Sequence, residues 1–137
     1  MGNEYGEGNP TEYPAAYQGV FAVGAINEAS RRAPFSNTGP NIALCAPGTN
    51  ILSTLPMKPS AYRKPDETQY AAWSGTSMAT PHVTAAAALV RARYGSLGAE
   101  QVRDRLQETA AKLPAMKGKN RTNEYGTGLL NLKDAVS

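Results

Sequence analysis

The sequence predicts an α/β chain, and three observations carry that prediction. Short apolar runs at 20–26, 42–46 and 51–54 are set off by Gly, Pro and Asn, the mark of buried strands separated by turns. A run of strong helix formers, Val83 to Tyr94, stops at Gly95, a good helix terminator. Beyond it, Val102, Leu106 and Leu113 fall near helical spacing with charges between them, which predicts an amphipathic surface helix over roughly 99–111.

Composition narrows the function classes. The 137 residues suffice for one modest domain. With 41% hydrophobic and 18% charged residues the chain is globular rather than disordered. The net charge is +3, but the basic residues are scattered apart from a short group at 112–121. No clustered face with stacking aromatics points to nucleic acid. No apolar run reaches membrane-spanning length, and the opening Met1-Gly2-Asn3-Glu4 has no signal-peptide character. Cys45 is the single cysteine, so no intrachain disulfide or Cys-based metal site is expected; it reads as a small core residue.

The elements follow in order. Residues 1–12 carry three glycines, a proline and three glutamates and read as loop. Val20 to Ile26 is a buried strand, residues 33–40 are turn-rich, and 42–46 and 51–54 are short strands around a Pro47-Gly48 turn. Residues 56–69 form a polar, Pro-bearing loop long enough to be functional or mobile. Tyr70 to Trp73 reads as a strand that delivers the stretch after it. Residues 114–124 are a basic loop, 125–131 a glycine-containing strand and turn, and 132–136 a short last helix. The glycines at 126 and 128 do not complete Gly-x-Gly-x-x-Gly, so they make no phosphate loop.

The stretch Ser74-Gly75-Thr76-Ser77-Met78-Ala79-Thr80-Pro81-His82-Val83 organises the rest. Pro81 cannot donate to the carbonyl of Ser77 and crowds it, so it belongs near a first helical turn and the helix should begin close to Ser77. Ser77 then sits at the positive end of the helix beside free N–H groups, a setting for a nucleophile whose attack creates an oxyanion. Gly75 lets backbone approach a ligand closely. Taken alone, Ser77 reads first as a helix cap, since Ser and Thr are common there. An α/β-hydrolase esterase would want Gly-x-Ser-x-Gly, which Thr76-Ser77-Met78 does not supply.

Gly75 to Val83 resembles the nucleophile motif of the subtilisin-like serine proteases, Gly-Thr-Ser-Met-Ala-x-Pro-His-Val, with Thr80 at the free position. Tyr13-Pro14-Ala15-Ala16-Tyr17, Ala46-Pro47-Gly48 with Ile51 to Thr54, and Gly126 to Asn131 also resemble that family's segments. The resemblance implies an α/β fold with a mostly parallel sheet flanked by helices, of which residues 1–137 would be the C-terminal part, an incomplete domain. It implies that Ser77 is the nucleophile and that Met1-Gly2-Asn3-Glu4 ends the segment whose Asn lines the oxyanion hole; by itself, Asn3 is an ordinary turn residue. It also implies a cis Tyr13–Pro14 bond, peptide or protein substrates, secretion, and no required cofactor, though some members bind a cation weakly through carbonyls. Glu4 and Glu12 fall near the segments that line the family's primary specificity pocket, where acidic groups favour Lys or Arg.

The base is missing. A serine nucleophile needs one, with a group to orient it. His82 is the only histidine, and five residues along a helix it points about 140° away from Ser77 with a rise of about 7.5 Å. Asp66, Asp104 and Asp134 match no catalytic Asp motif. In this family the order is Asp, His, Ser, so the resemblance begins after the first two. The expectation is a fragment, or a reading frame begun at an internal methionine, whose strand edges and apolar helix face are bare. Two functions follow: a serine endopeptidase module that is inactive alone, or a non-catalytic fragment that binds a peptide or a complementary chain. Self-association is expected from the same bare surfaces.

Overall fold

Strand β1, Ala22–Ile26, and strand β2, Ile42–Pro47, lie parallel at the centre of the computed structural model, which describes residues 1–57 and 69–137. All of β1 and all of β2 except Pro47 is buried, as in strands covered on both faces. The returning chain supplies a further partner for β2: Cys45 N donates to Gly128 O at 2.8 Å and Leu130 N to Cys45 O at 2.8 Å. Leu129 in turn bridges antiparallel to Ala111. Strands β3, Ile51–Thr54, and β4, Tyr70–Trp73, form a separate antiparallel ribbon whose outer residues are largely exposed. The predicted loop at 56–69 falls mostly outside the described residues, and Asp66 with it.

Helix α1, Thr76–Arg93, packs on both β1 and β2. Its buried residues Thr76, Ala79, Val83, Ala86 and Val90 recur at steps of three and four, one face of a helix. The opposite face is bare: Pro81, Ala85, Ala88 and Leu89 are exposed, Leu89 at 48%. A helix apolar on both faces is built to be covered on both.

Helix α2, Ala99–Glu108, buries Val102 and Leu106 against α1. It ends three residues before the predicted boundary, because Ala111 leaves the helical path to exchange hydrogen bonds with Leu129 at 2.8 and 2.9 Å. Leu113 therefore joins a second cluster with Ile26, Ile42, Cys45, Met116 and Tyr125 rather than the helix face. Helix α3, Leu132–Ala135, is capped by Asn131, whose side chain accepts from Asp134 N.

The basic segment is structural. Lys112 Nζ donates to the carbonyls of Asn120 and Thr127 at 2.9 and 2.6 Å, and Arg121 to those of Pro40 and Ile42. Arg105 holds the last turn through Tyr94 Oη and Ser137 O, both at 2.7 Å. These cations stitch loops through main-chain oxygens; among the described residues the ion pair is Arg103–Glu100.

Cys45 is fully buried, as its apolar run predicted. Burial pushes its thiol up from 9.0 to about 12. Between those values the fold keeps a proton that the unfolded chain releases, so this contribution to stability is full below about pH 9 and is lost as pH climbs toward 12. A thiol reagent at pH 8 should react with Cys45 only after denaturant is added, and the melting temperature should fall through that alkaline window. Equal reaction rates in native and denatured protein would show that the thiol is not sealed in the core.

Candidate active site

The head of α1 is held from two directions. The turn between β2 and β3 reaches it first: Gly75 N donates to Gly48 O at 2.8 Å, and Asn50 N to Ser74 Oγ at 2.9 Å. Gly48 permits that approach, since a Cβ there would lie 2.6 Å from Ala25 Cβ and 2.9 Å from Gly75 O. From the other side comes residues 2–3. Thr76 N donates to Asn3 Oδ1 at 2.9 Å, and Gly2 N donates to Thr76 Oγ1 at 3.3 Å. Gly2 O is fixed by Asn37 N at 3.1 Å.

This anchoring decides which way the Asn3 carboxamide faces. A backbone amide only donates, so the oxygen end meets Thr76 and Nδ2 is turned away from it. The place where a Cβ on Gly75 would stand is 3.6 Å from Asn3 Nδ2 and 3.7 Å from Ser77 N. Two donors thus border one small space beside Gly75. The Ser77 N–H has no hydrogen-bond partner among the described residues, and the exposed Ser77 hydroxyl has none either. Ser77 and Asn3 both line a groove of about 460 Å³ with Trp73 and Met78. Thr76, which sequence reasoning passed over, is 4% exposed and is the residue that joins the two segments. Its signal was a polar residue fixed in the motif yet buried beside the nucleophile.

His82 does not serve Ser77. Its Nδ1 lies 3.0 Å from Met78 O, and because a carbonyl only accepts, that nitrogen carries the proton. The ring is bound to its own helix. Pro81 sits inside α1, where it leaves Ser77 O without the usual donor, and the neighbouring Thr80 Oγ1 bonds back to Thr76 O at 2.9 Å. Asp134 accepts from Asn131 Nδ2 at 2.8 Å in the last helix, and Asp104 lies on α2. Neither is part of the Ser77 neighbourhood. Among the described residues no three His, Cys, Asp or Glu side chains gather to hold a metal.

Glu4 and Glu12 do converge. Gly2 has φ +112, and a Cβ there would meet Glu12 Cγ at 2.5 Å, Glu4 Oε2 at 2.9 Å and Asn37 Nδ2 at 2.5 Å. Glu4 Oε2 also accepts from Asn3 N at 2.5 Å. Burial lowers the pKa of the Met1 ammonium, and the charges of Glu12 and Glu4 oppose that shift. The Glu4 carboxylate thus holds the Asn3 amide, and the Glu12 side chain packs beside Gly2. The arrangement can present a serine hydroxyl and two hydrogen-bond donors to a bound ligand, the components an acyl-transfer site uses.

Comparison with known proteins identifies the family. The family model described as the subtilase family matches residues 1–128. Subtilisin of Bacillus pumilus is 42% identical over 137 residues, covering 98% of this chain and 44% of that protein. Subtilisin E of Bacillus subtilis strain 168 is 41% identical, with 98% of this chain and 32% of that protein covered. Among solved structures, fervidolysin from Fervidobacterium pennivorans, a keratinolytic enzyme related to subtilisin, superposes with a TM-score of 0.78 at 32% identity. That match covers 90% of this chain and 20% of fervidolysin. A lanthipeptide protease gives 0.77 at 29% identity, covering 97% of this chain and 45% of that one. The chain thus spans less than half the length of these relatives.

Proposed function

The chain belongs to the subtilase family, and from that premise we propose that it is the nucleophile-bearing part of a serine endopeptidase. One observation carries the reading: the unpartnered Ser77 N–H and Asn3 Nδ2 border the same space, in a groove that Ser77 and Asn3 both line. Ser77 Oγ attacks the scissile carbonyl. The oxyanion is held by the Ser77 N–H and Asn3 Nδ2, and collapse leaves an acyl-enzyme on Ser77 that water then releases. Both proton transfers need a histidine and an orienting carboxylate. With His82 bound to Met78 O, we assign those groups to a separate segment.

The same segment has a surface to cover. Ser77 opens onto the bare face of α1, a groove of about 630 Å³ continued by Pro81, Ala85 and Ala88. A complement that packs there brings its base to the head of the helix. On this reading the chain alone does not hydrolyse peptides. The exposed α1 face also supports a second reading, in which the chain only binds that complement.

Substrate choice follows from Glu4 and Glu12. We assign them to the side chain preceding the scissile bond, since acidic side chains gathered beside Gly2 and Asn3 favour a Lys or Arg there.

The test joins this chain to the N-terminal part of Subtilisin E and treats it with a fluorophosphonate probe. Labelling and peptide hydrolysis should appear in the joined protein, be absent from the chain alone, and vanish in Ser77→Ala. A folded joined protein that stays unlabelled would leave only the binding reading. Among peptide substrates the joined enzyme should turn over Arg faster than Leu, with Glu12→Gln narrowing the gap. A Leu preference in the active enzyme would sink the assignment of the two glutamates.

A further inference from the structure

The residue that opens a helix is usually Ser, Thr, Asp or Asn, whose side-chain oxygen accepts from the N–H of the second or third helical residue. In front of α1 that residue is Gly75, which is also common at this position but has no side-chain acceptor to offer. Ser74, one position earlier, has its hydroxyl engaged by Asn50 N at 2.9 Å. Of the first four N–H groups of α1, three have acceptors. Thr76 N donates to Asn3 Oδ1 at 2.9 Å, while Met78 N and Ala79 N donate to Gly75 O at 3.0 and 3.3 Å. The second helical residue, Ser77, is the one whose N–H is left open.

Neither conformation nor space requires glycine here. Gly75 has φ 161 and ψ 160, extended backbone that any residue adopts. A Cβ would meet Met78 Sδ at 3.5 Å, Asn3 Nδ2 at 3.6 Å and Ser77 N at 3.7 Å, all ordinary van der Waals contacts. Gly48, Gly126 and Gly128 differ, because at each a Cβ would run into neighbouring atoms at 2.6 Å or less. A capping side chain at position 75 would fit the fold, and it would reach the two donors that border the empty space.

We propose that Gly75 is a positioning residue through the side chain it lacks: it keeps the cap of α1 vacant so that the substrate's carbonyl oxygen becomes the cap. The inference rests on the acyl-transfer reading above. The oxygen of the scissile bond takes the place of a Ser or Asp oxygen, shared between the Ser77 N–H and Asn3 Nδ2. Its charge grows as Ser77 Oγ adds to the carbonyl carbon, and the positive end of α1 favours that growth. The interaction therefore strengthens in the transition state, where it accelerates reaction. The uncapped helix is the cost in stability of the open site.

Gly75→Ser tests this, with Gly75→Ala as the control that adds a Cβ and no acceptor. In the chain itself, Gly75→Ser should raise the melting temperature by about 1–2 °C and slow hydrogen exchange at the Ser77 amide. Gly75→Ala should do neither. In the protein joined to the N-terminal part of Subtilisin E, Gly75→Ser should lower kcat about 10²-fold or more with little change in KM. That scale is the one measured for loss of a single oxyanion donor in subtilisin, a relative of this chain. An active wild type with an equally active Gly75→Ser overturns the inference, as does a Gly75→Ser chain whose Ser77 amide gains no protection. An inactive joined wild type overturns the acyl-transfer reading itself, so the two failures are distinguishable.

Discussion

The hydrogen bond from the Thr76 amide to Asn3 Oδ1 is the constraint on which the site depends. It joins residues 73 positions apart, and it does so at the first N–H of α1, a group that would otherwise need water or a cap. One bond therefore satisfies the helix end, draws the 2–4 segment against it, and orients the Asn3 carboxamide. The hydroxyl of Thr76 adds a grip on Gly2 N, and Asn37 N holds Gly2 O. With Gly75 pinned to Gly48 O from the β2 side, the head of α1 is held by main-chain groups and short side chains rather than by long flexible ones.

The physics of α1 explains both the rigidity and the incompleteness of the chain. One face interlocks with β1 and β2 through small residues, which brings the helix close to the sheet and sets the height of Ser77. The other face is equally apolar and stays exposed through Pro81, Ala85, Ala88 and Leu89. On the proposed reading, one packing partner would both cover this face and bring a base to Ser77. The placement of His82 fits this logic. Its ring is fixed to Met78 O, where it supports a helix interrupted by Pro81.

Much of this was legible in the sequence because it is local. The start of α1 followed from Pro81, its body from the helix formers before Gly95, β1 to β4 from short apolar runs between turn residues, and the exclusion of His82 from helical angles. The cis Tyr13–Pro14 bond, implied by the family resemblance, is present. What was not legible is long-range. Nothing near Ala111 announces that it will leave a helix to pair with Leu129, and nothing near Lys112 or Arg121 announces carbonyl partners in other loops. Asn3 reads as a turn residue until Thr76 is brought to it. Glu4 and Glu12 look like solvated loop charges until Gly2, at a φ that favours glycine, lets both close in on one point. Gly75 looked like a residue that lets the main chain approach a ligand closely; the structure adds that it offers α1 no side-chain cap.

The central claim is that Ser77 carries the acyl group. The most direct measurement is the intact mass of the joined protein after rapid mixing with an activated acyl ester, followed by peptide mapping. The account predicts a single added acyl group on the peptide that contains Ser77, decaying as product is released, and no such species in Ser77→Ala. Ester turnover with no acyl group on Ser77, or with the group on another residue, would contradict it.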